Sequence, residues 1–220
     1  MLPGITLTCD SYRFIPSHFP PIQLFDNLLD ADELEAAYAL ENLTNDRLLD
    51  QAGNIALVLP EDRVAGHGST AIMEAFTHIG IESRFTQGQY GVYYAGLCLE
   101  IAMAESKASR ARLLCATNEP SQALTMRCYH CSVVGEVVDL RNDPKVHDAD
   151  DFTDAQAMAA KLRDNGEAGI LYNSVRHRGG ECIAALKPSL LKPPAIQAGH
   201  YQFLWNGKEI TNVLQVNLIE

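Results

Sequence analysis

Met126-Arg127-Cys128-Tyr129-His130-Cys131-Ser132-Val133-Val134-Gly135-Glu136-Val137-Val138-Asp139-Leu140 is the stretch on which the fold class turns. It predicts two strands meeting near Gly135-Glu136. Downstream, Thr153 to Asn165 predicts a helix. Thr153-Asp154-Ala155-Gln156 fits a capping box, Ala155, Met158, Ala159 and Leu162 share one face, and Gly166 is a good terminator. Strands are predicted at Gly169–Tyr172 and Cys182–Leu186, and Asn206-Gly207 predicts the turn of a hairpin across Phe203–Ile210. Upstream, Tyr90-Gly91-Val92-Tyr93-Tyr94 is β-prone and feeds a helix from about Leu97 to Lys107. Before it, Ser69 or Thr70 is placed to cap a helix carrying Ile72, Met73, Phe76 and Ile79, and the apolar run Ile55 to Leu59 predicts a strand. A helix is expected from about Asp32, and the prolines of Tyr12–Pro16 and Phe19–Ile22 favour extended backbone. Strands and helices mix without regular βαβ alternation. That order implies an α+β fold, a largely antiparallel sheet with flanking helices.

The 220 residues, 47% of them hydrophobic, suit a single domain around one core, and no linker divides them. Seventeen basic residues face 28 acidic ones, for a net charge of -11, so the field that a nucleic-acid surface needs is missing. The start of the chain has no charged-then-apolar signal, and no run approaches the roughly 18 apolar residues of a membrane span. Cys9, Cys98, Cys115, Cys128, Cys131 and Cys182 therefore read as cytosolic thiols, and the expected location is the cytoplasm.

Cys128-Tyr129-His130-Cys131 invites a metal or redox reading, yet a zinc site wants a second ligand pair, and a redox CxxC sits at a helix N-terminus. In a strand, cysteines three apart point to opposite faces, so a structural role and no metal are expected. Gly66-His67-Gly68-Ser69-Thr70 is a turn into a helix start that can cap the helix or cradle a phosphate. Glu105 lies on a helix that is apolar almost all round, with Glu100 as a second acid, and sits on the side of Ile101 and Ala102, either solvated at the helix end or directed into a site. Tyr172-Asn173-Ser174-Val175-Arg176-His177-Arg178-Gly179-Gly180 joins two strand candidates and concentrates polar chemistry in a loop, without the elbow of a serine hydrolase.

Four segments in order, Ser83-Arg84-Phe85, Gly91-Val92-Tyr93-Tyr94-Ala95, Ile101-Ala102-Met103-Ala104-Glu105 and Gly169-Ile170-Leu171-Tyr172-Asn173-Ser174-Val175-Arg176, resemble the RES domain family, as does the start Tyr12-Arg13-Phe14. The resemblance covers Arg84 to Leu186 well, and implies one RES domain over residues 1–220 with an extended N-terminal segment, about 1–60, packed on it. It implies a split sheet like that of the ADP-ribosyltransferases. It also implies a toxin of a type II toxin–antitoxin system that cleaves the nicotinamide–ribose bond of NAD, by hydrolysis or phosphorolysis, with an Xre-type antitoxin as partner.

On that resemblance Arg84, Tyr94, Glu105 and Ser174 are the catalytic candidates, with Tyr93 competing for the aromatic role. Arg13, Arg63 and His67 are candidates for further substrate contacts. A carboxylate at Glu105 would stabilise the cationic ribose, Arg84 would pair with the pyrophosphate, and Ser174 would bond the nicotinamide riboside. Two other readings share the pocket. One is a mono-ADP-ribosyltransferase with a protein target, the other a silent NAD-binding or regulatory protein.

Overall fold

The computed structural model describes residues 2–16 and 53–217. The helix expected from Asp32 and the segment Phe19–Ile22 lie outside these residues. Among the described residues, seven strands form one sheet: β1 (Gly4–Pro16), β2 (Tyr93–Gly96), β3 (Gln122–Asp139), β4 (Gly169–Asn173), β5 (Glu181–Ala185), β6 (Leu191–Trp205) and β7 (Ile210–Val216). Three α-helices among the described residues accompany them, α1 (Ser69–Thr77), α2 (Leu99–Ala116) and α3 (Thr153–Asp164).

The strand order is β1-β2-β5-β4-β3-β6-β7, and β1 also pairs with β3. The first five strands therefore close on themselves, while β6 and β7 extend as a hairpin. Every pairing is antiparallel except β3–β4, which makes the sheet mixed within an α+β architecture.

β3 is one strand, not the two predicted to meet at Gly135. Its pairing with β1 runs unbroken through that point, with Leu7 opposite Gly135 and Thr6 opposite Glu136. What changes there is the partner on the other edge. β6 pairs with β3 as far as Val133, and β4 takes over at Val138 and Asp139. Gly135 suits the crossover because a Cβ would stand 2.9 Å from Leu190 Cδ1.

Several other boundaries differ from the sequence expectation. Ile55–Leu57 is a 3-10 turn instead of a strand, because the Asn54 side chain accepts a hydrogen bond from Ala56 N and curls the backbone. Gly68, at φ 76, caps α1, and Ser69 is already inside the helix. A Cβ on Gly68 would lie 2.2 Å from Ala195 O, so the helix start is pressed on β6 and admits only glycine. Ile79 falls beyond the helix and is exposed. The β-prone run yields a strand only from Tyr93, and α2 starts at Leu99 and continues to Ala116. In α3 the capping box does not form. Thr153 N donates to Asp151 Oδ1, while the Gln156 amide turns inward to Glu82 Oε1 and Ser83 O. The terminal hairpin forms as expected, with Asn206 Oδ1 accepting from Lys208 N and Glu209 N.

Three apolar clusters fill the spaces around the sheet. One lies under α1, one between α3 and the β4–β5 pair, and one between α2 and the β3–β6 face. Cys131 belongs to the first and Cys128 to the third, so alternation along β3 sends the two thiols to opposite faces. No described helix is long and apolar enough to cross a membrane.

Candidate active site

α2 reaches the site because β2 runs directly into it. At Gly96, the last residue of β2, a Cβ would stand 2.4 Å from Ala102 N, so only a bare backbone lets the helix pack this close. On the other side, a Cβ on Gly180 would meet Ile101 Cγ1 at 2.7 Å, which closes the loop after β4 onto the same helix. Glu105 and Ser174 are thereby brought together.

Ser174 Oγ donates to Glu105 Oε1 at 2.5 Å and accepts from Arg176 N (3.1 Å) and His177 N (2.9 Å). A hydroxyl has one donor and two acceptor positions, and all three are filled. The Ser174 hydroxyl is thus hydrogen-bonded directly to the Glu105 carboxylate.

Arg84 is buried, and its guanidinium donates from one nitrogen to Val146 O (2.9 Å) and Asp148 O (2.6 Å). Phe152 lies between two cations, 4.8 Å from Arg84 Cζ and 4.5 Å from Arg112 Cζ, measured to its ring centroid. Arg112 and Arg176 both donate to Ala149 O, at 2.9 and 2.6 Å. Segment 146–152 is thus held by guanidinium groups from the Arg84 loop, from α2 and from the Ser174 loop.

Tyr93 and Tyr94 point to opposite faces of β2. Tyr94 packs with Phe85 and Tyr172, its hydroxyl accepting from Phe85 N (2.9 Å) and sharing a 2.8 Å hydrogen bond with Ser83 Oγ. Burial pushes its phenol up to about 12. Tyr93 belongs to the cluster under α1, with Arg13 Cζ 4.7 Å from its ring centroid. Arg63 donates to Val58 O, and His67 is exposed on the turn before α1.

Two buried groups register the whole constellation. Burial raises the Tyr172 phenol well above its usual range, with Cys182, Glu105, Tyr94 and Arg84 all within electrostatic reach. Burial likewise pushes the Cys182 thiol up to about 12, with Glu105 raising it further and Arg84 opposing. Arg84, Tyr94, Glu105 and Ser174 therefore share one neighbourhood around Tyr172 and Cys182. The sequence missed Arg112, His147 and Phe152. None of them carries a local signal, because each acts through a contact distant in the chain.

The profile of the RES domain matches residues 60–206. The protein y4oC of Sinorhizobium fredii is 28% identical over 208 residues, 94% of this chain and 87% of that one. Among solved structures, the MbcT–MbcA toxin–antitoxin complex of M. tuberculosis aligns at 13% identity and a TM-score of 0.47, covering 88% of this chain and 86% of that one.

Proposed function

The chain belongs to the RES domain family, and from that premise we propose that it is the toxin of a toxin–antitoxin pair, an enzyme that breaks the nicotinamide–ribose bond of NAD. The observation carrying this reading is the Ser174–Glu105 pair, set in one neighbourhood with Arg84 and Tyr94. Departure of nicotinamide leaves positive charge on the ribose, and a carboxylate whose position is already fixed stabilises that charge without reorganising. Ser174 holds Glu105 Oε1, so Oε2 is the oxygen that faces the ribose. Nicotinamide leaves as a neutral base from a cationic ring, so no strong general acid is needed. Water completes the reaction to ADP-ribose and a proton, and phosphate completes it to the 1-phosphate ester.

Arg84 works through one guanidinium edge on segment 146–152, leaving the other edge for the pyrophosphate. Tyr94 gives the nicotinamide riboside a flat, neutral wall. The closed ring of strands is read as the core of an ADP-ribosyltransferase-like fold, a single RES domain. An Xre-type antitoxin covers the pocket and supplies the DNA contacts that a chain of net charge -11 lacks, and both partners act in the cytoplasm.

The test is to incubate the purified chain with NAD, with and without phosphate and with cellular protein, and to identify every product. Free nicotinamide with ADP-ribose or its phosphate ester supports the reading. Label carried onto protein would turn it to transfer, and intact NAD under all conditions would end it.

A further inference from the structure

Asn173, the residue before Ser174, is fastened twice to segment 141–152. Its side-chain Nδ2 donates to Arg141 O at 2.7 Å, and its backbone N–H donates to His147 Nε2 at 3.0 Å. Arg141 is in turn held by Asp139 and Glu181, at 2.6 Å each, which ties the ends of β3 and β5 together.

The bonds to His147 settle its protonation. A backbone amide only donates, so Nε2 must present a lone pair. Nδ1 stands 2.7 Å from Asp143 O, and a carbonyl only accepts, so Nδ1 must carry the proton. The ring is therefore neutral and in one tautomer, with its face tilted toward Tyr172 at 6.5 Å. The carbonyls on either side of it, Val146 O and Asp148 O, are the two that seat Arg84.

We propose that His147, as the neutral Nδ1–H tautomer, is a positioning residue that fixes the end of β4, and with it Ser174 and Glu105, relative to the segment that seats Arg84. The proposal deepens the NAD-cleaving reading and rests on it for its kinetic consequences, though the hydrogen-bond pattern stands apart from any activity. Misplacement of a reacting group by an ångström is enough to slow a reaction about a hundredfold, so a single ring acting as a spacer carries real kinetic weight.

Three substitutions separate positioning from simple bulk. His147→Phe keeps a ring against Tyr172 and removes both bonds. His147→Gln returns an acceptor near the place of Nε2, and His147→Asn returns only a donor toward Asp143 O. NAD turnover should fall about tenfold or more in the Phe and Asn variants with KM within about twofold, and recover to within about threefold in the Gln variant. Thermal midpoints within a few degrees of one another would show that folding does not explain the order. Equal turnover in His147→Phe and the parent, or no recovery in His147→Gln, overturns the proposal. Nitrogen resonances of the imidazole and hydrogen exchange at the Asn173 amide need no turnover. A proton on Nε2, or unchanged Asn173 exchange in His147→Phe, defeats the proposal whatever becomes of the NAD reading.

Discussion

Ser174 Oγ sits 2.5 Å from Glu105 Oε1 and simultaneously accepts the N–H groups of Arg176 and His177. The two backbone donors strip freedom from the hydroxyl and aim its proton at the carboxylate, so serine and acid behave as one unit. A hydrogen bond to a charged group contributes roughly 1.5–3 kcal/mol. Ser174→Ala should therefore lower turnover of NAD roughly 10- to 100-fold while the dissociation constant for NAD, measured by calorimetry, moves little. A large loss of binding with intact turnover would show that Ser174 meets the substrate directly.

Glu105 should matter more than its serine. Removing a transition-state electrostatic contact costs about two to four orders of magnitude in rate. Glu105→Ala should show that loss in an assay of nicotinamide release. Parent-level turnover in the purified variant would take Glu105 out of the mechanism.

Arg84 has a structural duty beside any ligand contact. Arg84→Ala leaves Val146 O and Asp148 O without their donor, at about 1–3 kcal/mol for the buried Val146 carbonyl. The melting temperature should drop by about 5–10 °C for a chain of this length, alongside weaker NAD binding. An unchanged melting temperature would mean that segment 146–152 is held without it.

Acid should loosen the β3–β5 junction. Hydrogen bonds from the Arg141 side chain hold the Asp139 carboxyl below its usual value of 3.8. A depressed carboxyl contributes stability that is present above its unfolded pKa and is lost as pH falls through the folded value. Denaturant midpoints of the parent should exceed those of Asp139→Asn at pH 7, and the gap should shrink below 3.8. A gap independent of pH would exclude the ion pair as its source.

The thiols should sort by burial. Burial pushes Cys128 and Cys182 up to about 12 and Cys131 up to about 11, while Cys115 is exposed. The thiolate is the reactive form, so a neutral-pH alkylating agent should label Cys115 first and these three only after unfolding. Mass spectrometry of peptides from native and denatured protein checks this.

Periodicity within single elements was readable from the sequence. The apolar face of α3, the Asn206 hairpin and the opposite-facing Cys128 and Cys131 depend on near neighbours, and each appears in the structure. The strand pairing of Gly135 was not readable, because β1 lies over 120 residues away and carries the pairing past a residue that looks like a break. The capping box failed for a related reason. Gln156 has the right spacing, but a buried set of acceptors around Ser83 outcompetes one exposed helix end. In the site, motif resemblance singled out Arg84, Tyr94, Glu105 and Ser174, which the fold gathers. The scaffold that holds them, through His147, Asn173, Arg112 and Phe152, consists of contacts no local pattern announces.

The pairing of Gly4–Pro16 with Met126–Val138 also governs when the molecule can exist during synthesis. The first strand leaves the ribosome with its neighbour still unmade, and β2 waits some ninety residues for β5. Topologies so dominated by distant pairing close late and slowly. A nascent chain thus cannot close its ring of strands, or seat Ser174 beside Glu105 within it, until β5 has emerged.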